Sequence, residues 1–278
     1  MKKIIALLLA LLMVGALMTA CGEIKEDKKA EETTAGEATA DSAEAVADLD
    51  AVTKNGKLIV GITDFEPMDY QEDGKWVGFD AEMAEAFGES LGVKVEFVEI
   101  DWDNKILELN SGNIDCVWNG MTLTDEVTSA MSCSDPYCNN AQVVIVKADV
   151  ADQYQDADSC KELNFAVESG SAGQAQAEEY GFNFTEVKDQ ATALMEVQSG
   201  TCDAAIIDSL MAAAMVGEGT EYEQLTYTAS LNSEEYGVGF RKGSDLTAKL
   251  NEFFAAAKAD GTMQKVAETY KVQAALIK

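Results

Sequence analysis

The sequence predicts an α/β protein of two similarly built lobes with a cleft between them. Three observations carry this. The first is an internal repeat: Glu108-Leu109-Asn110-Ser111-Gly112-Asn113-Ile114-Asp115 is echoed 88 positions later by Glu196-Val197-Gln198-Ser199-Gly200-Thr201-Cys202-Asp203. In each copy an apolar helical run stops at Ser-Gly, where glycine accepts the left-handed backbone that ends a helix. An Asp then leads into a second apolar run, Cys116-Val117-Trp118 or Ala204-Ala205-Ile206-Ile207. The second observation is that strand and helix patterns alternate along both halves, the mark of parallel pairing. The third is a pair of long strands, near 140–146 and 236–241, placed where the chain passes from one lobe to the other. Two such crossings make a hinge.

Each element follows from its pattern. Residues 57–62 are a short β-type run, and 64–76 are rich in turn residues. From 79 to 91, Phe79, Met83, Ala86, Phe87 and Leu91 recur at helical spacing until Gly92 stops them. Residues 94–100 alternate as a half-buried strand, 104–110 form the helix of the first repeat, and 116–118 its strand. After the apolar strand 142–147 the pattern restarts: strand 164–167, helix 172–180, strand 184–187, helix 191–198, strand 204–207. A strand at 236–240 and helices at 246–259 and 263–270 complete the chain. The expected division is lobe one over 51–141, lobe two over 142–236, and a return to lobe one over 237–278.

Residues 1–20 lie outside this fold. Met1-Lys2-Lys3, the apolar run 4–18 and Thr19-Ala20-Cys21 read as a secretory signal, too short for a membrane span. The segment resembles a bacterial lipoprotein signal, which implies lipidation of Cys21; the alternative is an ordinary secreted protein cut near Ala20. Residues 22–50 are acidic, without an aromatic, and are expected to form a disordered tether of about 30 Å reach. The formal charge is −30, of which about −25 falls on 51–278 once Lys2 and Lys3 and the tether's ten acids and three lysines are set aside. Such acidity argues against nucleic acid and anionic lipid surfaces as partners, and an acidic cleft would favour cationic or zwitterionic ligands. The chain has no His, which removes imidazole metal sites and His-based triads. No metal or cofactor is expected. Besides Cys21 there are five cysteines, of which Cys133 and Cys138 are close enough in sequence to bridge.

Gly78-Phe79-Asp80-Ala81-Glu82-Met83, with Gly88 and Leu91, resembles the signature helix of the family 3 bacterial extracellular solute-binding proteins of amino-acid ABC transporters. The order Gly61, Pro67, Asp101-Trp102-Asp103, Gly120-Met121-Thr122-Leu123-Thr124, Ser134-Asp135-Pro136-Tyr137, Gly170-Ser171, Asp208 and Tyr236-Gly237 follows the family from about 55 to 272. The resemblance implies a two-lobed periplasmic-binding-protein-like (type II) fold with two hinge crossings. It places Phe65 and Trp102 as aromatic rings against the ligand, with Met68 nearby. Gly120 and Thr122 are expected to meet the ligand head group, flanked by Asn119 and Met121. Ser171 and Ala172 open a helix whose free N–H groups suit a carboxylate, and Asp208 is expected to hold an α-ammonium.

One departure stands out. The family follows Thr-x-Thr-x-Glu with an Arg that grips the ligand carboxylate; here Thr122-Leu123-Thr124-Asp125-Glu126 is followed by Val127, and the sole Arg of the chain is Arg241. Lysine does not replace a two-pronged guanidinium. Either backbone N–H groups, Thr122 and Ser171 hold the carboxylate, or the ligand is a cationic amine, a modified amino acid or a short peptide; Asp64, Glu66, Asp69, Asp103 and Asp125 near the cleft favour cations. The expected function is a monomeric, membrane-anchored, extracellular receptor that closes on a polar amino acid and presents it to an ABC permease. It is not expected to be an enzyme. The rival of that class resembles cyclohexadienyl dehydratases, which need a positioned acid or base and carboxylate-binding cations.

Overall fold

The computed structural model describes residues 46–278. The signal segment, Cys21 and the tether up to residue 45 lie outside the described residues. In chain order the elements are α1 (Asp48–Asn55), β1 (Lys57–Ile62), β2 (Tyr70–Glu72), β3 (Lys75–Val77), α2 (Phe79–Leu91), β4 (Lys94–Glu99), α3 (Lys105–Ser111), β5 (Cys116–Thr122), α4 (Asp125–Ala130), β6 (Ser132–Cys133), β7 (Cys138–Asn140) and β8 (Gln142–Lys147). There follow β9 (Asn164–Glu168), α5 (Ala172–Tyr180), β10 (Asn183–Val187), α6 (Gln190–Ser199), β11 (Ala204–Asp208), α7 (Ser209–Met215), β12 (Leu225–Ser230), β13 (Glu234–Phe240), α8 (Leu246–Asp260) and α9 (Thr262–Thr269).

Two sheets share one topology. The first runs β4-β1-β5-β13-β6 and the second β10-β9-β11-β8-β12. In each, three parallel strands are flanked by one antiparallel strand, β13 against β5 and β8 against β11. The repeat is the local cause. α3 stops at Gly112 (φ 78°) and α6 at Gly200 (φ 82°). Matching backbone bonds close both stops, Asn113 N–H to Glu108 O at 3.1 Å and Thr201 N–H to Glu196 O at 3.0 Å. The Asp that follows clamps the first strand of its own sheet. Asp115 N–H donates to Ile59 O (2.7 Å) and its Oδ2 accepts Ile59 N–H (2.9 Å). Asp203 does the same to Asn164, at 3.0 Å in both directions.

The chain leaves the first sheet at Asn140, enters the second at Gln142 and returns through residues 231–233. The return therefore lies just ahead of β13 rather than within 236–241, because β13 pairs along its length with β5, β6 and β7 of the first sheet. The turn-rich stretch 64–76 contains the start of a hairpin, β2–β3, and the first-repeat strand runs on from Trp118 to Thr122. Cys133 and Cys138 do not bridge; all five described cysteines are free thiols. Cys133 sits opposite Gly239 and Cys138 opposite Tyr236 on β13. Three residues of strand span about 10 Å, beyond the reach of a disulfide.

The largest correction concerns residues 46–50, assigned to the tether by their acidic composition. Val46 bridges Ser244, and Asp48 opens α1 at 6% exposure. The cause lies far along the chain: Arg241, just past β13, donates Nη2 to Asp48 Oδ1 (2.9 Å) and to Asp115 Oδ1 (3.2 Å), and Nη1 to Ile114 O (2.8 Å). The sole guanidinium thus ties α1, the first-repeat turn and the end of β13 together. Removing one partner of a buried ion pair leaves the others uncompensated, so Arg241→Met should destabilise the fold by about 3 kcal/mol and lower Tm by about 6–12 °C. A shift under about 2 °C in a calorimetric scan would contradict that role.

Candidate ligand-binding cleft

A cavity of about 220 Å³ lies where the two sheets face one another. Its walls come from the carboxyl ends of the parallel strands and the turns after them, the usual ligand position in such sheets. From the first lobe come Phe65 after β1, Trp102 before α3, and Asn119, Gly120, Met121 and Thr122 of β5. From the second come Ser171 and Ala172 at the start of α5 and Asp208 at the end of β11. Met68, expected among the ligand contacts, does not line it. Its side chain is fully buried in the first lobe's core, and its carbonyl accepts the N–H groups of Asp80 and Ala81.

Several wall residues are already engaged, which narrows what they offer. Gly120 has φ 54°, and a Cβ there would stand 2.5 Å from Phe65 Cε1, so glycine seats the ring. Its N–H donates to Asp80 Oδ2 at 2.6 Å, which leaves its carbonyl as the backbone group it can offer a head group. Asn119 spends its amide on Thr63 and Asp69. Thr122 Oγ1 donates to Glu234 Oε1 (2.9 Å), so toward a ligand it acts as an acceptor. Ser171 Oγ accepts Gln174 N–H (3.1 Å) as the cap of α5, which leaves its hydroxyl hydrogen to donate.

Asp208 is a meeting point. Its Oδ1 accepts from Asn140 Nδ2, from Gln142 Nε2 (3.0 Å) and from the Tyr236 hydroxyl (2.7 Å); its Oδ2 accepts from Gln190 Nε2. Asn140 and Gln142 also donate to Glu234 Oε1, at 2.7 and 2.8 Å. Two carboxylates at the crossings are therefore held by neutral donors. Burial pushes Asp208 up to about 7, and the nearby Glu234 adds to it.

Glu126 and Val127 of the departing motif line the cavity, and so do residues that the sequence did not single out: Thr63, Lys105, Glu168 and Gln190. Lys105 is the only cation on the wall among the described residues. It is 4% exposed, lies 5.0 Å from the Trp102 ring centre, and donates across the cleft to Gly170 O at 2.8 Å. Burial pulls its ammonium below the usual lysine range. Glu168 is 3% exposed and its Oε1 meets no donor among the described residues. Burial first, then Asp208, pushes it up to about 8. Its signal was available: like Asp208, it is an acid closing an apolar strand. Of the acids expected at the cleft, Asp125 lines the cavity, whereas Asp69 is buried beside Asp80 and bonded to Asn119. Asp64, Glu66 and Asp103 are not on this wall. A second bond across the cleft joins Lys188 to Glu99 at 2.5 Å, so the lobes are in contact at the rim.

The model of the bacterial extracellular solute-binding proteins, family 3, matches residues 58–273. The chain belongs to that family. It is 30% identical to the arginine-binding extracellular protein ArtP of Bacillus subtilis over 217 residues, 76% of this chain and 84% of ArtP. Among solved structures it is similar to an ancestral amino acid-binding protein described as a precursor of cyclohexadienyl dehydratase (33% identity, TM-score 0.74, 81% of this chain and 99% of that one). It is also similar to a Streptococcus pneumoniae ABC uptake transporter substrate-binding protein with bound histidine (27% identity, TM-score 0.75, 83% and 98%). The family's two-lobed type II architecture is the one described above, and family members are extracellular or periplasmic. Among the described residues no helix is long and apolar enough to cross a membrane.

The buried acids set a pH dependence. Asp80 and Asp208 are raised from 3.8 to about 7 and Glu168 from 4.5 to about 8, with burial the first cause in each. The folded state therefore holds more protons than the unfolded chain between about pH 4 and 8, and stability falls as pH rises through that window. The ligand-free protein should show a Tm several degrees higher at pH 5 than at pH 8. A Tm that rises with pH would contradict these protonation states.

Proposed function

We propose that this protein captures a small polar amino acid between its lobes and delivers it to an ABC permease. The observation that carries this is Asp208, 5% exposed, on a cavity walled from both lobes and capped by the Phe65 and Trp102 rings. Asp208 Oδ2 has one protein donor and can accept the α-ammonium. The α-carboxylate is offered Lys105 Nζ, the Ser171 hydroxyl and the start of α5, in place of the guanidinium missing at Val127. An amino acid as the class of ligand is supported by the amino-acid binding stated for ArtP and for the two structural neighbours. A cavity of about 220 Å³ is small beside drug-sized sites, which suits a single amino acid better than a peptide.

The role is binding rather than catalysis. The kinship with a precursor of cyclohexadienyl dehydratase keeps an enzyme in view, but a cavity with four acids and one lysine on its wall repels a polyanionic substrate. Closure follows if the ligand touches both walls, since only a ligand that binds the closed state better shifts the balance toward it. The remaining parts of this proposal are a monomer tethered through lipidated Cys21 to the outer face of the cell membrane.

Saturating amino acid at about a hundredfold over Kd should raise the wild-type Tm by roughly 5–10 °C. Asp208→Asn and Trp102→Ala should each abolish that rise in a panel of L-amino acids, and a rise retained in both variants would refute the site. Cys21→Ser should move the protein from the membrane fraction to the medium; an unchanged membrane fraction argues against the anchor.

A further inference from the structure

The buried charges on the cavity wall do not balance. Glu168 and Asp208 are 3% and 5% exposed, and Lys105, at 4%, is the one ammonium beside them. None of the three takes part in an ion pair among the described residues. Lys105 Nζ instead donates to two carbonyls, Trp102 O (3.3 Å) and Gly170 O (2.8 Å). Asp208 has four neutral donors from Asn140, Gln142, Gln190 and Tyr236. Glu168 has only a long bond to Oε2, from Gln190 Nε2 at 3.4 Å, and nothing on Oε1.

A buried carboxylate left without a donor is costly when ionised. A ligand whose single ammonium sits on Asp208, with its carboxylate toward Lys105, leaves Glu168 Oε1 as it was. A second cationic donor on the ligand supplies what Glu168 lacks, and the Trp102 and Phe65 rings offer such a group their electron-rich faces. We propose that Glu168 forms a second cation subsite, so that the protein selects an amino acid with a positively charged side chain over neutral and acidic ones. This rests on the amino-acid-binding function proposed above. Ionising Glu168 against that cation also requires it to give up a proton near neutral pH, because burial and Asp208 hold it up to about 8 in the ligand-free cavity.

The test compares L-arginine with L-citrulline, its uncharged isostere, by calorimetric titration of ligand-free protein. The wild type should bind arginine about ten- to a hundredfold more tightly. Glu168→Gln keeps the shape of the protonated acid, so it should stay folded and still bind citrulline while the arginine preference falls toward parity. In buffers of different ionisation enthalpy at pH 7, arginine binding should release more protons from the wild type than from Glu168→Gln. Equal wild-type affinities, or a preference that survives the substitution, would overturn the subsite. If L-glutamine binds where arginine does not, the subsite falls while amino-acid capture stands; if no amino acid binds, both fall.

Discussion

The structure turns on a surplus of buried carboxylate where the two lobes meet. Asp208 ends the last parallel strand of the second sheet, yet its donors include Asn140 and Gln142 from the outward crossing and Tyr236 from β13 of the first lobe. Glu234 shares Asn140 and Gln142 and also takes the hydroxyl of Thr122 from the first lobe. Cleft wall and crossings are thus one hydrogen-bonded cluster. A charge introduced at Asp208 is felt by the groups that set how the lobes sit. On the proposed site, a ligand at Asp208 would couple to closure by this route, since a buried network responds as a unit.

The family resemblance places a guanidinium at Val127, and the wall has none there. With an Arg at that position the wall would hold a second cation beside Lys105. Here Val127 is 2% exposed and contributes only apolar surface. Lys105 supplies the positive charge from another element, pinned over Trp102 and across to Gly170. A lysine is a point donor rather than a fork, so Lys105 does not reproduce a two-pronged grip.

Most of the architecture was legible because its causes are local. The Ser-Gly stops, the repeated Asp and the apolar strands lie within a few residues of one another, and each copy builds its turn from its own atoms. The cavity wall was legible where the family motifs reach it, at Trp102, Gly120, Thr122, Ser171 and Asp208. What escaped depends on distant partners. Residues 46–50 look like tether until Arg241, some 190 positions away, binds Asp48. Lys105 looks like a solvated helix lysine until the second lobe brings Gly170 to it. Met68 looked like pocket because it neighbours Phe65, but the chain turns there so that its carbonyl can hold the start of α2.

The most direct measurement is mass spectrometry of the small molecule that co-purifies with the protein under native conditions. The expected result is one solute per chain, an α-amino acid carrying net positive charge at neutral pH, released on denaturation. An anionic or wholly apolar solute would contradict it, because neither could neutralise Glu168 and Asp208.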